Sequence, residues 1–341
     1  MKAYPSGRYY RTSRRAKAHF MIACGIFIVV SFIGFGVNAG AAHAQVTDDW
    51  TTSLHDNSRT GASADTNISA SQAPDLTKLW SFATGGPIAS QAAIVNGVAY
   101  IGSWDGYEYA LNASTGAVIW KTFLGITTGE SDCNPQTVGV SSAATVLNGV
   151  VYVGGGDADW YALDASTGSV LWDVYTGDNS VAGGHYNWSS PLIVNGYAYI
   201  GVASLGDCPL IQGQLIQVDL STHEVVNTLD LVPDGSQGGG IWTSPAYDPS
   251  LNEIFAVTGT ETSDAETYAQ AVVGINASSL QVVDYWHLPE SEAVADSDWT
   301  TSTGLYTGSN GTPIPSKASL SWRPIARPLL RRTMISRGAM P

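Results

Sequence analysis

The chain has little positive charge outside its two ends. Only Arg59, Lys78 and Lys121 lie between residues 45 and 315, a stretch that also carries all 29 acidic residues and so has a formal net charge of −26. A surface this acidic repels phosphate groups. We therefore expect no nucleic-acid partner and no binding to anionic membrane surfaces.

Charged residues of either sign are also scarce, at 13% of the 341 residues, whereas the chain holds 37 glycines, 11 tryptophans and 16 tyrosines. This composition is typical of short strands and tight turns, and not of charged amphipathic helices. The hydrophobic content of 44% excludes intrinsic disorder. We predict an all-β protein.

Cysteine is rare, with three residues in the whole chain. Cys24 lies in an apolar N-terminal run, which leaves Cys133 and Cys208 as the pair in the remainder, and no C-x-x-C-H motif is present to attach a c-type haem. In an oxidising compartment the pair is predicted to form a disulfide, worth roughly 4 to 5 kcal/mol in the chain-entropy description. Two separate free thiols are the alternative.

Residues 1–44 have the pattern of a signal peptide or a signal anchor. Six basic residues lie within the first 17, an uncharged run follows from Phe20 to Val37, and Ala42-His43-Ala44 resembles a cleavage site. We predict export to the extracellular space, the periplasm or the cell surface. An uncleaved anchor in this segment is the one membrane attachment we expect, because the apolar run just reaches the length of a membrane span.

Internal repeats organise the rest of the chain. The segment NGVAYIGSWDGYEYALNASTGAVIW, from Asn96, recurs from Asn148 with 15 of 25 positions identical. Weaker copies begin at Asn195 and Leu251. Repeats of this length are typical of propellers or solenoids, in which each unit buries its faces against its neighbours.

Each copy reads as four strands. A short apolar run meets Asn-Gly, which is the strongest signal for a two-residue hairpin, and a second strand follows. A third strand ends in Asn112, Asp164, Asp219 or Asn276, whose side chain can cap the turn before the fourth strand. We predict a β-propeller of four-stranded antiparallel blades, with a solenoid as the alternative. The predicted segments are an N-terminal extension (45–78), blades at 79–125, 137–178, 186–232 and 240–288, and a partial fifth blade (297–312).

The composition and patterning of the sequence change after residue 312. Residues 313–341 hold six bases, no acid and no alternation of apolar and polar residues. This aberrant basic tail reads like a different reading frame that begins inside a blade. We therefore expect a truncated propeller of about four blades plus fragments.

The endings Ala113 to Trp120 and Ala165 to Trp172, with Tyr-Ala-Leu before each, resemble the tryptophan-docking repeats of the pyrroloquinoline-quinone-type β-propellers. That superfamily contains quinoprotein alcohol dehydrogenases and polyvinyl-alcohol dehydrogenase, and also a non-catalytic assembly lipoprotein. The third and fourth copies depart from the motif, with His223 and Leu280 in place of glycine and no terminal tryptophan. Docking through tryptophan is therefore not implied there.

Candidate site residues come from the loops that enter the first strand of each blade and from the loops between the second and third strands, which in such propellers surround a central funnel. Flat indoles and neighbouring hydroxyls there could stack and hydrogen-bond a ring. The candidates are His185, Asn187, Trp188, Ser189, Trp242, Thr243, Asp298 and Trp299. Asp157 and Asp159 alternate as calcium ligands would, but lack the rest of a calcium loop. The alternative interpretation is that the tryptophans pack blades and the acids are solvated turn residues.

Two functions remain open. Pyrroloquinoline quinone carries three carboxylates, which need cationic partners that this chain scarcely has. We therefore predict no cofactor and a non-catalytic binding or assembly platform, with a protein or carbohydrate ligand on the funnel face. The alternative is a quinoprotein dehydrogenase that oxidises an alcohol or polyol with pyrroloquinoline quinone and calcium.

Overall fold

The structure is a computed structural model that describes residues 49–64, 68–263, 265–289, 291, 298, 302–307 and 313–315. The predicted signal segment and residues 316–341 of the basic tail lie outside the described residues. Within the described ranges the only helical turn is a 3-10 turn at Ala73–Asp75. None of the described residues form a helix long and apolar enough to cross a membrane.

Four antiparallel sheets follow one another along the chain, each built on four consecutive strands of one repeat, and the third sheet has one further short strand. The first blade contains β1 (Ala93–Val95), β2 (Val98–Gly102), β3 (Tyr107–Asn112) and β4 (Val118–Phe123). A small hairpin of β5 (Thr127–Thr128) and β6 (Thr137–Val138) leads to the second blade, which contains β7 (Thr145–Leu147), β8 (Val150–Gly154), β9 (Asp159–Asp164) and β10 (Val170–Tyr175).

The second half of the described chain repeats this order. The short strand β11 (His185–Tyr186) precedes the third blade of β12 (Leu192–Val194), β13 (Tyr197–Ser204), β14 (Gln214–Asp219) and β15 (Glu224–Asp230). The fourth blade contains β16 (Ala246–Asp248), β17 (Glu253–Val257), β18 (Ala271–Asn276) and β19 (Gln281–His287). The final hairpin pairs β20 (Leu305–Thr307) with β21 (Pro313–Pro315), so strand pairing continues past the predicted start of the tail at residue 313. The prediction of an all-β propeller with four-stranded antiparallel blades is confirmed.

The Asn-Gly pairs turn the chain between the first two strands of three blades, as predicted. Asn96 and Gly97 have φ angles of 51° and 76°, and the corresponding pairs at Asn148 and Asn195 have the same conformation. Both residues of a type I′ turn need positive φ, which asparagine tolerates and glycine adopts freely. The repeat therefore fixes the register of the first hairpin in each of these blades.

The acids and amides that end the third strands cap the following turns. Asn112 Oδ1 accepts hydrogen bonds from the backbone N–H groups of Ser114 and Thr115, both at 3.0 Å. Asp164 does the same for Ser166 and Thr167. The hydroxyls of both residues also donate to Asp164 Oδ1, and these bonds, followed by the backbone bonds, lower the pKa of its carboxyl. The side-chain oxygen replaces a backbone acceptor, which is why the Ser-Thr-Gly turn follows directly.

The hydrophobic core lies between successive sheets and not within any one of them. Tyr100 and Trp120 of the first blade pack against Val151 and Leu163 of the second. Similar clusters join the second blade to the third and the third to the fourth. The second and third blades each pack against a described blade on both faces, so the blades stabilise one another through these joints.

The segment 49–61, which sequence analysis treats only as an extension, crosses the first strands of the blades. Backbone bonds link Thr51 O to the N–H of Val146 at 2.8 Å and Asn57 O to the N–H of Tyr247 at 2.7 Å. Arg59 is fully buried and donates through Nε to Pro245 O at 2.9 Å and through a terminal nitrogen to Thr52 Oγ1 at 2.6 Å. Burial lowers the pKa of its guanidinium to about 10, although the nearby carboxylate of Asp56 opposes this shift.

Candidate functional site

The candidate site is a cleft of about 320 Å³ formed mainly by loops of the third and fourth blades, with Asn134 from the loop between β5 and β6 and Asp298 from the segment after the fourth blade. Its walls include the indoles of Trp188 and Trp242 and the carboxylates of Asp207 and Asp298. Thr260 and Asn134 add a hydroxyl and an amide. The described lining therefore offers flat aromatic surfaces and oxygen ligands, and it contains no lysine or arginine.

The two tryptophans occupy corresponding positions, each just before the first strand of its blade. The Trp188 indole donates from Nε1 to Ser204 O at 2.9 Å and meets Tyr186 edge to face with 4.6 Å between ring centroids. The Tyr186 hydroxyl donates in turn to Gly139 O. These contacts hold the Trp188 ring in one orientation, which a rigid stacking surface requires.

The two carboxylates meet at Thr260. Asp298 Oδ1 accepts a hydrogen bond from the Thr260 backbone N–H at 2.5 Å and lies 3.1 Å from Thr260 Oγ1. Asp207 Oδ2 lies 3.2 Å from the same hydroxyl. Since one hydroxyl has a single proton, it donates to only one of these carboxylates at a time. The arrangement brings two negative groups to a single point of the cleft.

Glycine makes this approach of the carboxylates possible. A Cβ atom at Gly259 would lie 2.8 Å from Asp298 Oδ1, closer than a real Cβ contact allows. Asp207 itself has φ of 60°, a left-handed conformation that aspartate tolerates better than most residues. Gly259 and the left-handed conformation of Asp207 therefore let the two carboxylates approach Thr260.

Part of this cleft was predicted from the sequence. Trp188, Trp242 and Asp298 line it as described, whereas His185, Asn187, Ser189 and Thr243 are not among the lining residues. Trp299 lies outside the described residues. Asp207 and Thr260 were missed as site residues, because nothing in the sequence shows that two loops 53 residues apart meet.

The other four candidates have roles within the scaffold. Asn187 is fully buried and donates from Nδ2 to Ala158 O at 2.8 Å. Ser189 Oγ lies 3.2 Å from Gly201 O, His185 Nδ1 lies 3.0 Å from Gly183 O, and Thr243 is buried. These side chains fix the loops and strands around the cleft.

Asp157 and Asp159 lie in the second blade. Asp157 accepts hydrogen bonds from the Tyr161 hydroxyl at 2.8 Å and from the Asp159 backbone N–H at 3.2 Å, as a turn-capping acid does. Burial, together with the charges of Asp157 and Asp173, raises the pKa of Asp159 to about 6. Among the described residues no group of three or more His, Cys, Asp or Glu side chains is arranged to hold a metal ion.

The two cysteines lie together beside the cleft as free thiols. Cys133 Sγ is 3.7 Å from the carbonyl oxygen of Cys208. Their neighbours in sequence, Asn134 and Asp207, line the cleft. The disulfide stays a prediction.

The donor set of the cleft fits a hard cation and a planar ring. Carboxylate, hydroxyl and amide oxygens are the ligands that Ca²⁺ takes, and the volume and the indoles suit an aromatic quinone. The described lining has no positive side chain for the carboxylates of pyrroloquinoline quinone, so a bound cation would have to supply that charge. Asp207 and Asp298 are the residues that would hold the cation.

Comparison with known proteins gives one family and a consistent set of relatives. The sequence model described as outer membrane protein assembly factor BamB matches residues 64–310. A polyvinylalcohol dehydrogenase of Pseudomonas sp is 26% identical over 219 residues, which cover 56% of this chain and 33% of the relative. A quinohemoprotein alcohol dehydrogenase of Pseudomonas putida is 28% identical over 234 residues, which cover 57% of this chain and 31% of the relative.

The solved structure of the quinohemoprotein alcohol dehydrogenase from Comamonas testosteroni has the same fold. It superposes with a TM-score of 0.64 and 20% identity, covering 80% of this chain and 46% of that protein. The chain spans about a third of the length of the curated relatives it matches.

The prediction of a non-catalytic binding or assembly platform is wrong, because the curated proteins that match are dehydrogenases. The error came from counting only side chains as sources of positive charge. A cation bound by Asp207 and Asp298 would contribute the charge that lysine and arginine do not.

Proposed function

This chain belongs to the family of pyrroloquinoline-quinone-type β-propellers whose sequence model is described as outer membrane protein assembly factor BamB, and from this we propose that it is a quinone-dependent dehydrogenase of alcohols. The cleft between Trp188 and Trp242, with Asp207 and Asp298 converging on Thr260, carries the proposal. Support also comes from the curated relatives, which oxidise polyvinylalcohol or smaller alcohols according to their names.

The residues of the cleft have separate tasks in this proposal. Trp188 and Trp242 bind the planar ring by stacking, and the fixed orientation of Trp188 positions that ring. Asp207 and Asp298 bind the cation, and one of them accepts the proton of the alcohol hydroxyl. A general base must lie within hydrogen-bond reach of the proton it takes, and the 3.2 and 3.1 Å distances to Thr260 Oγ1 show that both carboxylates reach the same point.

The cofactor supplies the chemistry that amino acids lack. Pyrroloquinoline quinone, when bound with Ca²⁺, would be the two-electron acceptor for alcohol oxidation. The protein would contribute binding, orientation and a proton acceptor.

Cation binding tests the proposal without relying on activity. Tb³⁺, a hard cation with oxygen preference, should give luminescence sensitised by the nearby indoles, and Ca²⁺ should compete with it. Asp298→Asn and Asp207→Asn should each weaken Tb³⁺ binding at least tenfold. Glu224→Gln, which removes an exposed acid from β15, is the matched control and should leave binding unchanged.

Quinone binding and turnover complete the test. We expect pyrroloquinoline quinone with Ca²⁺ to quench tryptophan fluorescence and to support dye-linked oxidation of a primary alcohol or polyvinylalcohol. Either aspartate variant should lower turnover by more than a hundredfold, and Glu224→Gln should not. Loss of Tb³⁺ binding to the same degree in Glu224→Gln, or quinone that leaves both the spectrum and the fluorescence unchanged, would contradict the proposal.

The same proposal places the protein outside the cytoplasm. The basic and apolar pattern of residues 1–44 and the description of the family as an outer membrane assembly factor support export. Fractionation of the source cells, with sequencing of the mature N-terminus, should find the chain beyond the inner membrane. Recovery of a full-length chain from the cytoplasm alone would argue against it.

A further inference from the structure

We propose that Cys133 and Cys208 form a redox-sensitive disulfide that fixes the two loops on one side of the cleft. The cross-link would join the loop between β5 and β6 to the loop between β13 and β14, and so hold Asn134 and Asp207 in place. The effect on ligand access rests on the proposed function of the cleft, but formation of the cross-link does not.

The geometry brings the two thiols together although 75 residues separate them in sequence. Cys133 Sγ lies 3.7 Å from the Cys208 carbonyl oxygen, and the loops meet again where a Cβ at Gly206 would lie 3.5 Å from Asn134 O. The Cys133 side chain is buried at this contact. Cysteines on loops that are in contact need less backbone movement to reach disulfide geometry than cysteines on loops that are apart.

The cross-link would add a covalent tie between two loops whose other described contacts are non-covalent, such as the bond from the Gly129 N–H to Gln136 O at 2.8 Å. Residues 129–136 are closed by a ladder of only two residue pairs, Thr127 with Val138 and Thr128 with Thr137. On the other side, Asp207 stands in a tight turn with φ of 60°. A covalent bond would therefore restrict loop motions that the short ladder permits.

Formation of the bond needs an oxidant, and a small disulfide such as oxidised glutathione provides one. One cysteine thiolate attacks a sulfur of the oxidant and releases a reduced thiol, which gives a mixed disulfide. The second cysteine thiolate then attacks the protein sulfur of that mixed disulfide and releases the second reduced thiol. The two cysteines lose two electrons to the oxidant, and their two protons end on the released thiols.

The surroundings of the thiols predict how fast this happens. The hydrogen bond with Cys133 raises the pKa of the Cys208 thiol to about 11, and burial and the negative charges of Asp132 and Glu130 add to the shift. The thiolate is the reacting form, so exchange should accelerate with rising pH.

The first experiment counts thiols in the full chain. Cys24→Ser removes the third cysteine, and the protein is then equilibrated with glutathione buffers of graded ratio. Acid stops the exchange, and the chain is alkylated in denaturant at neutral pH before mass measurement. We expect two alkylated cysteines in reducing buffer, and none in oxidising buffer with a mass loss of two hydrogen atoms. A peptide map of the unmodified sequence should contain the Cys133–Cys208 cross-link.

Hydrogen exchange tests whether the bond fixes the loops. Peptides that cover residues 129–138 and 204–211 should exchange at least tenfold more slowly in the oxidised protein, and peptides from β15 should not change. The double variant Cys133→Ser/Cys208→Ser should exchange at the reduced rate in both buffers. If that variant does not fold, the reduced and oxidised native chains still provide the comparison.

Two results would overturn the inference. Two alkylated thiols after full equilibration in oxidising buffer would exclude the bond, and a bond that forms without slowing exchange in either loop would exclude its effect. Neither readout uses quinone or alcohol, so failure of the dehydrogenase proposal alone would leave both results intact.

Discussion

Two joints between blades, the one between the first and second and the one between the third and fourth, cover the corresponding turn of the next blade with different residues. In the first, Trp120 Nε1 donates to Ala165 O at 2.9 Å and Tyr100 donates to the same oxygen at 3.2 Å. The indole lies over Gly168, where an added Cβ would approach it to 2.6 Å. Aromatic surface and hydrogen bonds therefore act together at this joint.

Among the described residues that pack between the third and fourth blades, no indole is present. The carbonyl of Ala277, which corresponds to Ala165, accepts from Tyr199 at 2.6 Å and lies 3.4 Å from Gln217 Nε2. Leu280 takes the glycine position with φ of 52° and is buried, while Asn227 stands where the tryptophan would be.

The comparison shows which part of the motif the fold needs. The turn carbonyl must be satisfied at both joints because an unpaired acceptor in the blade interface costs free energy. Apolar cover must also be present, but tryptophan over glycine is only one way to provide it. The middle joint is intermediate, since Trp172 stacks on His223 with 4.5 Å between ring centroids.

Truncation of the two corresponding side chains should give the largest contrast. Trp120→Ala removes a buried indole and a hydrogen bond, and we expect a loss of about 3 to 5 kcal/mol in the free energy of unfolding. Asn227→Ala should cost less than about 0.5 kcal/mol, since the side chain is exposed, reaches the next blade only through a long bond of 3.5 Å to Ser279 O, and otherwise accepts only from the adjacent Thr228 N–H. Urea unfolding of the two variants measures the difference, and equal losses would show that the joints are not distinct.

A second contrast concerns a buried acid in the first blade. Glu108 is fully buried and neither carboxyl oxygen has a hydrogen-bond partner, whereas the third blade has Leu215 at the corresponding position. Burial raises the pKa of Glu108 well above its usual range. Glu108→Leu should therefore stabilise the protein by roughly 1 to 3 kcal/mol at pH 7.

The pH dependence of this variant follows from the direction of the shift. A group whose pKa is higher in the folded state contributes most to stability below its unfolded pKa, and that contribution falls as pH rises towards the folded value. The gain from Glu108→Leu should thus be smaller at pH 4 than at pH 7. Thermal unfolding at both pH values measures it, and an equal gain at both would contradict a buried, titrating carboxyl.

The smallest expected effect lies at the middle joint. His223→Gly removes the strain of φ at 63° on a residue with a Cβ, which favours the variant, but it also removes the stack on Trp172. Each effect is worth about 1 kcal/mol, so we expect a net change in Tm of no more than a few degrees. A large loss of Tm would show that the stacked ring contributes much more than its contact area.

Local patterns in the sequence predicted the blades well because their causes are local. The Asn96-Gly97 turn, the cap by Asn112 and the alternation along each strand depend on residues only a few positions apart. The repeat added the sheet order, since each copy contains all four strands of one blade. The burial and hydrogen bonds of Arg59 could not be predicted from local patterns, because its partners Pro191 and Pro245 lie in later blades.

The residues of the cleft also differ in whether local sequence patterns predict them. Trp188 and Trp242 were found because they recur at one position of the repeat, while Asp207 and Thr260 come from loops that differ between copies. Four further candidates were predicted because they share a loop with Trp188 or Trp242. Whether such a side chain lines the cleft or bonds within the surrounding loops depends on its direction, which the sequence does not show.

The sequence by itself determined that this is an all-β chain of four-stranded repeats with an acidic body, because periodicity, turn residues and charge are properties of neighbouring residues. Only the tertiary structure decided that Asp207 and Asp298 meet at Thr260 and that Cys133 lies beside Cys208. Those distances depend on how separate blades pack against each other, and packing is decided by contacts between residues that are remote in sequence.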